Sequence, residues 1–84
     1  MKFITIIGIG LIGSSIARTI KKIDEKIRIN IIDNSKENLE KSKLLKLGDI
    51  LSLDINKQIE ESDIIFLCTP ISSYEKILNK LNNF

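Results

Sequence analysis

The sequence predicts an α/β fold, a parallel sheet with helices on both faces, and three observations predict it. The first is the opening stretch, where Phe3-Ile4-Thr5-Ile6-Ile7 runs into Gly8-Ile9-Gly10-Leu11-Ile12-Gly13. An apolar, β-branched run, then G-x-G-x-x-G, then a helical pattern is the fingerprint of a dinucleotide-binding βαβ unit. Second, another apolar run, Ile27 to Ile32, ends in Asp33. That acid stands about 20 residues beyond Gly13, where the fingerprint expects a carboxylate on the adenosine ribose. Third, strand-like and helical segments alternate along the chain, as a parallel sheet with crossover helices requires.

The first strand spans Met1 to Ile7 and is apolar enough to be buried on both faces. Gly8 permits the turn off the strand, Gly10 lets the backbone approach a pyrophosphate, and Gly13 removes a side chain where helix meets strand. The first helix runs from Leu11 to about Ile23, with Ile16, Ile20 and Ile23 at helical spacing and Arg18, Lys21 and Lys22 largely on other faces. Its positive dipole end and unpaired N–H groups point at the expected phosphates. Ser14 and Ser15 are either phosphate donors or small residues favoured near a helix start.

Asp24-Glu25-Lys26 is a charged turn before the second strand, Ile27 to Ile32. Asn34 and Ser35 offer capping oxygens to a second helix from Lys36 to Leu47. Leu39, Leu44, Leu45 and Leu47 supply its apolar side, and Lys43 and Lys46 complement the dipole of its last turn. Gly48 fits the left-handed position after its end. Lys36 reads as surface, with an approach to the ribose as the alternative.

A short third strand follows near Ile50 to Leu53, then a helix or turn from Asn56 to Ser62. Asp63 to Cys68 is the fourth strand, closed by Thr69-Pro70 because proline has no N–H for the ladder. Ser72 and Glu75 form an S-x-x-E capping box for a last helix, with Tyr74, Ile77, Leu78 and Leu81 on its core side. Right-handed crossovers give the strand order 3-2-1-4, a Rossmann-like but incomplete sheet of about four strands. Ligand belongs over the carboxyl ends of the first and fourth strands, where Gly8 to Gly13 and Thr69-Pro70 converge. Asp54, Glu60, Glu61 and Asp63 precede the fourth strand and so are expected away from that cleft.

At 84 residues the chain holds one small domain. A net charge of +2, with lysines scattered among acids, is a solvated surface and no nucleic-acid footprint. No stretch approaches the about 18 consecutive apolar residues of a membrane span, and the N-terminal apolar run is a strand, not a signal peptide. One cysteine and no histidine exclude an internal disulfide and a Cys/His zinc cluster, so no metal site is expected. Cytoplasmic residence fits this cysteine usage, and Cys68 reads as a small buried residue, with a thiol lining the cleft as the alternative.

Ile7-Gly8-Ile9-Gly10-Leu11-Ile12-Gly13-Ser14-Ser15-Ile16-Ala17, then Asp33, then Ser62-Asp63-Ile64-Ile65-Phe66-Leu67-Cys68-Thr69-Pro70-Ile71 resembles the N-terminal part of prephenate and arogenate dehydrogenases of tyrosine biosynthesis. The resemblance implies oxidation of prephenate with NAD(P)⁺ and decarboxylation to 4-hydroxyphenylpyruvate. It covers essentially the whole chain but about half of that family's nucleotide-binding domain. Residues 1–84 therefore read as the N-terminal half of an NAD(P)-binding domain, without the catalytic remainder or the helical C-terminal domain. The family's histidine and arginine find no counterpart, so no catalytic residue carries over. The cofactor contacts that do are Gly8, Gly10, Leu11, Ile12, Gly13, Asp33, Thr69 and Pro70.

NAD is the expected cofactor over NADP, because Asp33 would bond the ribose hydroxyls and repel a 2′-phosphate, with no arginine in the following loop. Other NAD(P) enzymes of the β-hydroxyacid or pyrroline-carboxylate type, and a non-catalytic nucleotide-binding remnant, stay open as alternatives. The fourth strand, Ile64-Ile65-Phe66-Leu67, would be a bare apolar edge, so association with a second copy or a complementary chain is expected there.

Overall fold

The computed structural model describes residues 2–83; Met1, where the first strand was expected to begin, and Phe84 lie outside the described residues. Four parallel strands, β1 (Phe3–Ile7), β2 (Arg28–Ile32), β3 (Ile50–Ser52) and β4 (Ile64–Leu67), pair in the order β3-β2-β1-β4. Three helices, α1 (Leu11–Ile23), α2 (Lys36–Leu44) and α3 (Tyr74–Leu81), alternate with them, and 3-10 turns span Lys57–Glu61 and Ile71–Ser73. The expected order and parallel pairing are both present.

Register divides the core into two layers. Ile4 lies opposite Ile29 and Ile64, and Ile6 opposite Ile31 and Phe66. Because side chains alternate along a strand, these fall on one face, where Ala17, Ile16 and Ile20 of α1 pack on them with Leu39 and Leu47. Ile7 and Ile32 point the other way and meet Ile59, Ile55, Leu67, Ile77 and Leu81. So α1 and α2 cover one face while the Lys57–Glu61 turn and α3 cover the other. Each fully buried isoleucine contributes about 1.5–3 kcal/mol.

Polar groups tie the crossovers to the sheet. The fully buried Asn30 amide donates to Thr5 Oγ1 at 3.2 Å and exchanges bonds with the Asn56 amide at 3.1 and 3.2 Å. The Thr5 and Ser62 hydroxyls bond each other. Left unpaired, each such buried group would cost about 1–3 kcal/mol. At the amino ends of the strands, the Lys2 and Phe3 N–H groups donate to the Asp63 carboxylate at 2.9 and 3.0 Å. Those two bonds hold its carboxyl below the usual carboxylate range.

Several local expectations are corrected. Helix α2 ends at Leu44, not Leu47, and closes with the Leu47 N–H on the Ser42 carbonyl and the Lys46 N–H on the Lys43 carbonyl. That is a Schellman closure, and it puts Lys46, at φ 55°, in the left-handed position expected for Gly48. Gly48 is needed for close approach instead: a Cβ there would stand 2.6 Å from Ile31 Cδ1. The early closure swings Leu47 into the core and leaves Leu44 and Leu45 exposed. Ile23 is exposed too, since the apolar stripe of α1 leaves the sheet after Ile20. The Ser72 capping box does not form, because Ser72 lies inside the 3-10 turn and α3 starts after Ser73 with no side-chain cap. Ser35 does cap α2, accepting from the Asn38 N–H at 3.2 Å.

Candidate functional site

The carboxyl ends of β1, β2 and β4 open onto a cavity of about 400 Å³, within the usual range for small-molecule sites. The glycine loop forms one side of it. Gly8 leaves β1 at φ 88°, and its N–H donates to the Ile32 carbonyl at 2.7 Å. A Cβ on Gly8 would stand 2.6 Å from Thr69 Cγ2, and one on Gly13 only 2.5 Å from the Gly8 carbonyl oxygen. These two glycines let β1, α1 and the end of β4 touch. Gly10 differs, because a Cβ there would meet nothing within 4 Å. Protein packing does not require that glycine. The space above it is open to a ligand.

Asp33 locks this loop to the end of β2. The residue is 8% exposed, and its Oδ2 accepts from the Ile9 N–H at 2.9 Å. Oδ1 accepts from the Ser35 N–H at 2.9 Å, and the Asn38 amide lies 3.3 Å from Oδ2. Across the cleft, Thr69 Oγ1 is buried without a hydrogen-bond partner among the described residues. Such an orphan is uncommon in a settled interior.

Of the expected contact residues, Gly10, Asp33, Thr69 and Pro70 line the cavity together. Gly8 and Gly13 form the buried base of the loop. Leu11 and Ile12, in the first turn of α1, are 91% and 69% exposed and do not line it. The Ser14 hydroxyl turns back onto the Gly10 carbonyl at 2.6 Å, which satisfies it within the helix start. Cys68 joins both readings of it, half-buried against the core and lining the cavity, and burial pushes its thiol up. Tyr74 is a packing residue whose hydroxyl donates to the Leu67 carbonyl at 3.3 Å.

Two walls were not foreseen. Asp54 follows the carboxyl end of β3 and lines the cavity, correcting its expected place at the far end; Glu61 and Asp63 are indeed at the opposite, amino end of the sheet. Lys76, Ile77 and Lys80 of α3 form the facing wall. Lys80 Nζ bonds Asp54 Oδ1 at 3.0 Å, and that bond, with the Ile55 N–H, holds the Asp54 carboxyl below its ordinary value. Spacing of Lys76 and Lys80 one turn apart was the only trace of this wall in the sequence. Among the described residues no cluster of His, Cys, Asp and Glu could hold a metal, and no helix is long and apolar enough to cross a membrane.

Residues 3–84 match the family described as NADP oxidoreductase, coenzyme F420-dependent. The chain belongs to this oxidoreductase family. Within it the chain is similar to a cyclohexadienyl dehydrogenase of Zymomonas mobilis, 39% identical over 83% of this chain and 24% of that protein. A prephenate dehydrogenase of Lactococcus lactis is 41% identical over 100% of this chain and 23% of its own length. The structure of prephenate dehydrogenase from A. aeolicus, in complex with hydroxyphenyl propionate and NAD⁺, superposes with a TM-score of 0.87 at 26% identity, over 99% of this chain and 29% of that one. The chain is thus a nucleotide-binding oxidoreductase domain of this family, related to the N-terminal region of prephenate dehydrogenases. It spans about a quarter of the length of the curated relatives it matches.

Proposed function

We propose that this chain is the NAD-binding N-terminal half of the cofactor domain of a prephenate dehydrogenase. The observation that carries the reading is the Ile9 N–H bond to Asp33 Oδ2, which fixes the glycine loop and the ribose-binding carboxylate as one unit. The relatives, prephenate and cyclohexadienyl dehydrogenases, support the substrate class. Gly8 and Gly13 hold the loop, Gly10 leaves room for the pyrophosphate, and the N–H groups of Leu11 and Ile12 at the start of α1 face it. Asp33 accepts from the ribose hydroxyls, and Thr69 and Pro70 sit beside the nicotinamide half, with the unpaired Thr69 hydroxyl as a donor in reserve. A bound nicotinamide supplies the hydride acceptor. The residues present fit such a group, since the loop is open at Gly10 and the carboxylate is preset.

Asp33 makes NAD⁺ the preferred cofactor, because its charge repels a 2′-phosphate. Calorimetric titration of NAD⁺ and NADP⁺ tests this, with Asp33→Ser alongside. The substitution is expected to weaken NAD⁺ binding about tenfold, the worth of a charge-assisted hydrogen bond, and to narrow the preference. Equal or tighter NADP⁺ binding by the wild type would sink the reading.

Oxidising an alcohol needs a group to take the hydroxyl proton, and the sequence contains no histidine for it. We therefore expect no NADH from prephenate with this chain alone. The β4 edge is apolar and uncharged, and Ile65 on it is 41% exposed, so a second copy or a complementary chain pairs there. Light scattering combined with an NADH-production assay decides both points. A stable monomer contradicts the claim about the edge, and prephenate-dependent NADH contradicts the need for a further base.

A further inference from the structure

The cavity that Asp33 lines is also lined by cations that the loop after Asp33 does not supply. Asp33 and Asn38 stand on one wall of the cavity, and Lys76 and Lys80 of α3 on another. Lys80 is engaged by Asp54, at 3.0 Å. Lys76 makes no ion pair among the described residues. It is nonetheless on the cavity side of α3: its neighbour Ile77 packs on Ile7 and Ile32 beneath the cavity, and its charge is among those that act on Asp54. The residues it joins are Asp33 just after β2, Asn38 in the first turn of α2 and Asp54 just after β3. On the proposed reading this is the adenosine half of the cleft.

From this placement we infer that Lys76 is a specificity-determining residue that offsets the repulsion of Asp33, giving the site residual acceptance of a 2′-phosphorylated dinucleotide. A free ammonium on a flexible stem, lining the same small cavity as that carboxylate, is suited to meet a 2′-phosphate as an ion-pair partner. It has no comparable partner in the neutral 2′-hydroxyl of NAD⁺. The wild-type preference for NAD⁺ is therefore narrower than Asp33 alone would set. Removing the ammonium sharpens it.

The inference rests on dinucleotide binding at this cleft, and the experiment separates the two. Kd values for NAD⁺ and NADP⁺ are measured by calorimetry on the chain and on Lys76→Gln, Lys76→Glu and, as a remote control, Lys22→Gln. Lys76→Gln is expected to weaken NADP⁺ about tenfold, the usual scale for a hydrogen bond to a charged group, and to leave NAD⁺ within about twofold. Lys76→Glu should widen the gap further, and the gap between wild type and Lys76→Gln should shrink at high salt as screening grows. An unchanged NADP⁺ to NAD⁺ ratio in both variants, or an equal loss for both cofactors, overturns the inference and leaves dinucleotide binding standing. A wild-type chain that binds neither cofactor overturns the underlying reading itself.

Discussion

Gly10→Val abolishes dinucleotide binding and leaves the fold intact. The two halves of that expectation come from one observation: a Cβ at Gly10 would meet no protein atom within 4 Å. A Cβ there therefore displaces no protein atom, and on the proposed reading the valine side chain occupies the space the pyrophosphate needs against the backbone. Losing that close approach, together with the N–H bonds it permits, is expected to raise Kd for NAD⁺ at least about 100-fold. Far-ultraviolet circular dichroism should match the wild type, and calorimetry or fluorescence reads the affinity. A folded variant that keeps its affinity would make the loop a purely structural turn.

Gly13→Val does the opposite and attacks the fold. Its Cβ would stand 2.5 Å from the Gly8 carbonyl oxygen and 3.2 Å from Ile6 Cγ2. The first neighbour is backbone, so no rotamer relieves it, and α1 has to lift from β1 at the point where Ala17 is fully buried. Overpacking of this kind costs about 1–3 kcal/mol, and a clash with backbone puts Gly13→Val at the upper end, about 3 kcal/mol. That is a large part of the about 4–13 kcal/mol that roughly 0.05–0.15 kcal/mol per residue gives a domain of 84 residues. Urea denaturation should show a strongly lowered midpoint or an unfolded chain, with Gly13→Ala intermediate. A midpoint equal to that of the wild type would mean that α1 and β1 do not pack as closely as the structure has them.

What could be read from the chain was carried by local periodicity. Phe3 to Ile7, a short apolar and β-branched run, marks a strand buried on both faces, while Ile16 and Ile20 mark a helix one turn apart. The spacing of the glycines marked Gly8 as the turn off the first strand and Gly13 as a position of close packing, and Pro70 marked the end of the fourth strand. The end of α2 differs from the sequence reading for a related reason. Leu44, Leu45 and Leu47 look alike in a helical pattern, and only the packing of Leu47 into the core decides where the helix must stop. Gly48 was given the left-handed role because glycine is its usual occupant. A lysine took it, and the glycine was needed one layer deeper, against Ile31.

The sequence by itself determined the α/β class, the strand order, the glycine loop and the acid at the end of the second strand. Each depends on residues a few positions apart or on the general handedness of crossovers. Tertiary structure alone decided how that acid is used and what faces it. The bond from Ile9 to Asp33 spans 24 residues of sequence, and that from Lys80 to Asp54 spans 26. The Asn30–Thr5–Asn56 network and the Lys76 wall likewise join distant segments. Coulomb attraction and hydrogen bonding act over a few ångströms of space whatever the separation along the chain. No spacing rule can reveal such partners, because the sheet brings them together only after its strands have paired.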